Sequence, residues 1–151
     1  MDKNVCIEQA ICKDANDIHI VNKKCLPVYY SQREYVIYIL DTKVILLKAV
    51  YDKQIVGYAL AKWYSDDRLH IMSFSVLSEF RCMGIGKLLI NKINEYKFKK
   101  NKHSQLTLFV QKSNKIALKF YKDNNFTQHS YLKNYYGLND HGYYLVNNHS
   151  L

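Results

Sequence analysis

One short run of glycines and basic side chains is the part of the sequence best suited to chemistry. It reads Arg81-Cys82-Met83-Gly84-Ile85-Gly86-Lys87 and follows an apolar stretch. Glycine lets the backbone approach a ligand closely and adopt dihedral angles that other residues avoid. If a helix begins here, its first N–H groups and its dipole would face an anion. The pattern therefore indicates a pyrophosphate-binding loop, with a tight strand–helix turn as the alternative; it is neither a dinucleotide fingerprint nor a P-loop.

A second segment, later in the chain, combines polar and aromatic residues. It reads Ser113-Asn114-Lys-Ile-Ala117-Leu-Lys-Phe120-Tyr121-Lys-Asp-Asn-Asn125-Phe126. The two segments resemble motif A (R-x-x-G-x-G) and motif B (S-N-x-x-A-x-x-F-Y-x-x-x-G-F) of the GNAT acetyltransferase family. The departure is Asn125 in place of glycine, and both residues tolerate a left-handed helix cap. The resemblance implies a GNAT fold that uses acetyl-CoA and no metal.

Two further segments narrow this resemblance. Leu26-Pro27-Val28-Tyr29-Tyr30 resembles the F-P-[VI]-x-Y loop of N-terminal acetyltransferases of the NatE and NatF types. The segment 125–136, with its paired tyrosines, is similar to the NatF catalytic chain. This resemblance implies acetyl transfer to the N-terminal amine of Met-hydrophobic-type peptides by direct attack in a ternary complex. Acetylation of lysine side chains, as in histones, and CoA binding with weak catalysis remain alternatives.

The resemblance also implies individual roles. The residues implied to bind acetyl-CoA are Phe74, Val76, Leu77, Arg81, Cys82, Met83, Gly84, Ile85, Gly86, Lys87, Asn114 and Tyr121. Those implied to line the slot for a peptide N-terminus are Leu26, Pro27, Val28, Tyr30, Met72, Tyr135 and Tyr136. Main-chain N–H groups near Val76 and Leu77 would meet the acetyl carbonyl, and Tyr121 would protonate the leaving thiolate. Ordinary strand packing is the alternative for the tyrosine pair, and a core position for Met72.

This sequence departs from the family pattern at the residues that accept the proton of the attacking amine. NatE and NatF enzymes use a tyrosine and a histidine on neighbouring strands, and the corresponding residues here are His70 and Phe109. With an ordinary pKa near 6.5, His70 could act as the base directly or through water. A strand histidine hydrogen-bonded to a neighbour fits the sequence equally well. Since a peptide α-amine has a pKa of about 7.7–8.0 and a lysine amine about 10.4, a modest base suffices only for the former.

The elements that must position these residues follow from hydropathy and turn signals. We predict a mixed α/β fold, with a mostly antiparallel sheet of about seven strands and about four helices. Asp14 and the Ser31–Glu34 capping box begin the first two helices, and Gly84/Gly86 and Ser113/Asn114 precede the other two. Predicted apolar faces include Leu88 on the third helix and Ile116 on the fourth. The predicted strands are Val5–Ala10, Val44–Tyr51, Ile55–Trp63, Leu69–Leu77, Leu106–Val110, Phe126–Leu132 and Tyr143–Val146.

Length and composition set the remaining expectations. The 151 residues, 48% hydrophobic and 23% charged, fit one globular domain spanning 1–151. A net charge of +9 suits an anionic partner, but no nucleic-acid-binding signature accompanies it, so we expect no specific nucleic acid. The four cysteines form no C-x-x-C pair. No apolar run reaches the about 18–20 residues that span a bilayer, and we expect a cytoplasmic location, with the Golgi membrane or nucleus as alternatives. The sequence gives no indication of oligomeric state.

Overall fold

The structure, a computed structural model, describes residues 4–147 and contains one seven-stranded sheet with the order β1-β2-β3-β4-β5-β7-β6. Four α-helices accompany it in the described part of the chain, in the predicted order of elements. The strands are β1 (Val5–Gln9), β2 (Val44–Tyr51), β3 (Gln54–Ser65), β4 (Arg68–Val76), β5 (Gln105–Gln111), β6 (Phe126–Gly137) and β7 (Asp140–Asn147). The helices are α1 (Ala15–Cys25), α2 (Gln32–Leu40), α3 (Ile85–Lys100) and α4 (Lys115–Asp123). The predicted α/β fold is confirmed.

Only one pair of neighbouring strands is parallel among residues 4–147. Strand β4 pairs with β5 in parallel from Arg68 to Ile71, and α3 makes the crossover between them. All other recorded pairs in the sheet are antiparallel. Parallel strands require such a crossover, which is why the helix that follows the glycine loop returns the chain beside β4. The glycine loop therefore lies at the end of β4.

The helices cover both faces of the sheet. Tyr35 of α2 contacts Tyr58 of β3, and the Tyr58 hydroxyl lies 2.6 Å from Ser73 Oγ on β4. Successive strand residues point to opposite faces, so Phe74 points away from α2. Its ring lies close to Gly86 of α3 and stacks on Phe120 of α4. Thus α2 lies on one face, and the start of α3 and the Phe120 ring of α4 lie on the other.

Two local predictions at the first helices have different outcomes. Ser31 Oγ accepts from the Glu34 N–H at 3.1 Å and Glu34 Oε2 accepts from the Ser31 N–H at 2.6 Å, so the capping box is confirmed. Asp14 precedes α1 at its N-cap position, as predicted, but its side chain makes no capping hydrogen bond to that helix. Its carboxylate instead accepts from the Ile11 N–H and pairs with Lys48 Nζ at 2.8 Å.

Three other expectations need correction. Leu88 is exposed, because the buried stripe of α3 runs through Ile85, Leu89, Ile90 and Ile93. Ile116 is 80% exposed, since it points away from the face of α4 that carries Tyr121. Strand β6 continues past Leu132 to Gly137, with a register irregularity and a left-handed Asn134 that break the alternating pattern.

Candidate active site

A cleft opens where β4 and β5 separate. Their pairing ends at Ile71 and Leu108, whereas β4 continues to pair with β3 as far as Val76. Met72 is an extra residue in β4, at a register shift opposite Leu60 and Ala61. A strand that loses one neighbour exposes main-chain N–H and C=O groups along that edge. The end of β4 therefore presents backbone donors to whatever enters the cleft.

The main-chain N–H groups of Val76 and Leu77, both predicted to meet the acetyl carbonyl, are not equally free to donate. The Leu77 N–H donates to Val56 O of β3 at 2.8 Å and is therefore occupied. Backbone groups alternate between the two edges of a strand, which directs the Val76 main chain toward the open edge. In agreement, Val76 O accepts from Arg81 Nε at 3.0 Å and from Cys25 Sγ at 3.7 Å. The Val76 N–H is thus the donor that geometry favours, and Leu77 is not.

The loop between β4 and α3 has the backbone form of an anion site. Cys82 and Gly84 both have positive φ angles, of 62° and 79°, and α3 begins directly afterwards at Ile85. Left-handed residues next to a helix start turn consecutive N–H groups to the same side. Ile85 is buried, so only its main chain can take part. The exposed Arg81 and Lys87 add positive charge, and the loop fits a pyrophosphate.

Motif B packs directly onto this loop. A Cβ atom on Gly86 would lie 2.8 Å from Phe120 Cζ, and the Phe120 ring stacks on Phe74 at 5.6 Å. Tyr121 is buried against Phe74, and burial raises the pKa of its phenol, so the hydroxyl stays protonated. Asn125 is left-handed, with a φ of 68°, as the resemblance required. The second glycine of the loop is therefore needed for close packing rather than for its φ angle.

Asn114 begins α4 and has a structural task there. Its Oδ1 accepts from the Ala117 N–H at 3.1 Å, which caps the helix. The oxygen of this side chain is therefore committed to the helix. The predicted contact with CoA would have to use its amide nitrogen or its main chain. Motif B thus supplies a capping residue and an aromatic pair to the wall of the site.

The loop between α1 and α2 is held by its main chain at Tyr30. The Tyr30 N–H donates to Asn22 Oδ1 at 3.0 Å, and Tyr30 O accepts from His19 Nδ1 at 2.7 Å. The Tyr30 ring packs edge-on against Tyr35 and Tyr38. Pro27 is exposed and Val28 is 82% exposed, while Leu26 is half-buried. The anchored loop therefore presents an apolar tip to solvent, as expected of one side of a slot.

The tyrosine pair forms a second exposed wall. Tyr135 and Tyr136 are in ring contact at 4.9 Å, and both are exposed. Tyr136 lies over Gly142 of β7, where a Cβ atom would come within 2.7 Å of its ring. Tyr135 contacts Phe109 of β5 at 5.0 Å. These rings are open to solvent, unlike tyrosines that only fill a sheet interior.

His70 occupies a buried position between other rings. It is 8% exposed, its Nδ1 lies 2.8 Å from Thr107 Oγ1, and its ring contacts Tyr64 and Phe109. Burial, together with the positive charge of Arg68, lowers the pKa of His70 to about 4. The imidazole is thus neutral and weakly basic at neutral pH, an environment typical of a hydrogen-bonded strand histidine.

Three site residues escaped sequence reasoning or were undervalued there. Cys25 contacts the Val76 carbonyl, Tyr64 contacts His70, and Phe109 joins His70 to Tyr135. The motifs carry no signal for Cys25 and Tyr64. The sequence identified Phe109 only as the residue that replaces the histidine of the NatE and NatF pattern. Its exposure of 40% depends on the folded sheet. Among residues 4–147, no helix has the length and apolarity that crossing a membrane requires.

Comparison with known proteins agrees with this geometry. Residues 9–126 match the profile of the acetyltransferase (GNAT) family. The chain is 29% identical to N-alpha-acetyltransferase 60 of Xenopus tropicalis, over 85% of this chain and 62% of that protein. It is 30% identical to the NAA10 catalytic subunit of the N-terminal acetyltransferase A complex of Arabidopsis thaliana, over 79% of this chain and 64% of that protein. The chain thus spans less than two thirds of the length of these curated relatives.

A solved structure is similar over almost its entire length. Arabidopsis thaliana Naa50, in complex with the bisubstrate analogue CoA-Ac-MVNAL, is 27% identical with a TM-score of 0.81. The match covers 96% of this chain and 99% of that one. With the family profile covering most of its residues, and with both motifs at the expected places in the fold, the chain belongs to the acetyltransferase (GNAT) family.

Proposed function

We propose that the protein transfers the acetyl group of acetyl-CoA to the N-terminal α-amine of peptides. The observation that carries this proposal is the placement of the cleft. The open edge of β4 at Val76 adjoins the anion loop 81–87, and the half-buried Tyr30 and the exposed Tyr135 would form two walls of the peptide slot. A site open on both sides suits two substrates that meet at one edge. The names of the two curated relatives, an N-alpha-acetyltransferase and the catalytic subunit of an N-terminal acetyltransferase complex, support the same reaction.

Each part of the site would have a distinct task. The loop 81–87 would hold the pyrophosphate of acetyl-CoA, and the Val76 N–H would donate to the acetyl oxygen as negative charge develops there. The neutral amine attacks the carbonyl carbon, a C–N bond forms, and the C–S bond breaks. The amine loses a proton to water, and the thiolate takes one from solvent, either directly or through the Tyr121 hydroxyl, which then regains its proton from water. Positioning of the two reactants would supply much of the rate.

The state of His70 favours an α-amine as the acceptor. A base with a pKa of about 4 removes a proton poorly at neutral pH. A peptide α-amine needs little help, because an appreciable fraction is already neutral, whereas neutralising a lysine amine costs about 3 kcal/mol more. We therefore propose that His70 chiefly positions the rings around it. The apolar loop tip and tyrosine walls support Met-hydrophobic-type peptides as substrates.

The test is an acetylation assay with peptides that separate the alternatives. Purified protein and acetyl-CoA would be incubated with Met-Leu, Met-Lys and Ser-Glu N-termini, and with an N-terminally blocked peptide that contains an internal lysine. Free thiol and product mass are measured. Acetylation of free α-amines alone supports the proposal. Acetylation of the blocked peptide would instead identify a lysine acetyltransferase, and binding of acetyl-CoA without transfer to any peptide would identify a weak homologue.

Location forms a further part of the proposal. We propose that the protein acts in the cytoplasm, where its cysteines remain reduced, and the four cysteines are free in the structure. Cell fractionation with membrane and nuclear markers tests this. Recovery with Golgi membranes or nuclei would contradict it.

A further inference from the structure

Four rings form a continuous row across one face of the sheet, and we call these residues, Tyr64, His70, Phe109 and Tyr135, the aromatic row. Consecutive ring centroids lie 5.7, 4.7 and 5.0 Å apart. The row therefore crosses from β3 through β4 and β5 to β6. Tyr64, Phe109 and Tyr135 remain exposed despite these contacts. Aromatic rings that pack together yet stay open to solvent mark a place where a ligand can add contact area.

Phe109 has a distinctive place in this row. The β4–β5 pairing ends at Ile71 and Leu108, so Phe109 is the first residue of β5 beyond the point of separation. Its side chain lies on the same face as that of Thr107, which contacts His70. Tyr144 of β7 pairs with Phe109 and supports its ring at 5.4 Å. The exposed ring thus stands at the mouth of the proposed acetyl-transfer cleft.

The chemistry of the row favours an apolar group. None of its side chains is a carboxylate or an amine. Cations lie at its β3 end, where the Arg68 guanidinium is 5.4 Å from the Tyr64 ring and Lys62 is paired with Asp41 at 3.8 Å. Burial raises the pKa values of Tyr30 and Tyr38, and the nearby Tyr64 adds to this rise. The row therefore continues toward the α1–α2 loop that we assign to the peptide slot.

We propose that Phe109 is a specificity-determining residue whose ring contacts the first side chain of the acceptor peptide and favours a large apolar side chain there. This inference rests on the proposed function. The first side chain is one bond from the carbon that bears the attacking amine, so it must lie beside the cleft when the amine reaches the thioester. A half-exposed phenyl ring at the mouth of the cleft gains contact with methionine or leucine and gains little with serine.

The test compares two peptides that differ only in their first residue, methionine or serine. We expect Phe109→Ala to lower kcat/KM for the Met peptide roughly 10-fold, as for a lost apolar contact in a substrate pocket. The loss should appear in KM, because the contact exists before and during transfer. The Ser peptide should change far less. Tyr131→Ala is the matched control, since Tyr131 is an exposed ring of β6 outside the row, and we expect it to leave both values unchanged.

Other outcomes would overturn the inference. An equal loss of kcat/KM with both peptides would show that Phe109 stabilises the fold or assists acetyl transfer without selecting the peptide. An unchanged kcat/KM for the Met peptide would show that Phe109 does not contact its first side chain. Thermal unfolding and acetyl-CoA binding identify a variant that has not folded. In that case Phe109→Val, which suits a strand, is measured by the same ratio. Wild-type protein inactive on every α-amine would refute the proposed function instead, because the present criterion is a ratio in an active enzyme.

Discussion

The Nε–H of Arg81 donates to the main-chain oxygen of Val76 at 3.0 Å. One hydrogen bond thus joins the anion loop to the open edge of β4, the two parts that would hold opposite ends of the same acyl donor. Cys25 Sγ approaches the same oxygen from the end of α1. Because Val76 O and Val76 N–H belong to the same edge, a bond to the oxygen also orients the proposed donor.

Arg81→Lys tests this relationship while it keeps the positive charge. Lysine cannot reproduce the planar guanidinium donor, so we expect the end of β4 to be held less firmly. The loss should be about 10-fold in kcat/KM, the equivalent of about 1.4 kcal/mol for one charged hydrogen bond. Steady-state kinetics at saturating peptide measure it. Arg33→Lys on the exposed surface of α2 is the control, and equal effects of the two variants would disprove the link.

Gly86→Ala tests the packing of motif B onto the anion loop. The added Cβ would meet Phe120 at 2.8 Å and Phe74 at 3.4 Å, so the rings must move. We expect a destabilisation of about 1–3 kcal/mol and weaker acetyl-CoA binding. Chemical denaturation and calorimetry measure the two effects. In the double variant Gly86→Ala/Phe120→Leu the clashing ring is absent. Its loss in free energy of unfolding should therefore be smaller than the sum of the losses of the two single variants. Additive costs would show that the two residues do not interact.

Asn22 tests the anchoring of the α1–α2 loop. Its Oδ1 accepts from the Tyr35 hydroxyl at 2.6 Å and from the Tyr30 N–H at 3.0 Å. Asn22→Ala leaves both donors without this acceptor in a buried site, and we expect a loss of about 1–3 kcal/mol in the free energy of unfolding. Denaturant titration measures it. Tyr35→Phe removes one donor, so adding Asn22→Ala to it should cost less than in the wild type. An equal cost in both backgrounds would contradict this network.

The lowered pKa of His70 predicts how the free energy of unfolding depends on pH. Its folded-state pKa of about 4 lies below the ordinary value of 6.5, so the unfolded chain binds more protons between these limits. The contribution is fully present above pH 6.5 and is lost progressively as the pH falls toward 4, by up to about 3 kcal/mol. We expect His70→Gln to flatten this part of the pH profile of unfolding. The exposed His103→Gln is the control, and identical profiles for both variants would refute the assignment.

The order of elements was predictable because it follows from local signals. The capping box at Ser31 and Glu34, the turn between β2 and β3 and the glycines before α3 each act within a few residues. Errors arose where local pattern and packing disagree. Leu88 and Ile116 are apolar and have helical spacing, but only one side of each helix is buried. Other residues of each helix lie on that side, so Leu88 and Ile116 are exposed.

The candidate site divides in the same way. The sequence by itself determined the left-handed positions at Gly84 and Asn125, because these depend on the backbone freedom of single residues. Only the tertiary structure decided that Val76, and not Leu77, has a main chain on the open edge, since that depends on where β5 leaves β4. It also decided that His70 is buried beside Thr107 and that Phe109 is exposed at the cleft. Both are properties of strands far apart in the chain, which no local pattern contains.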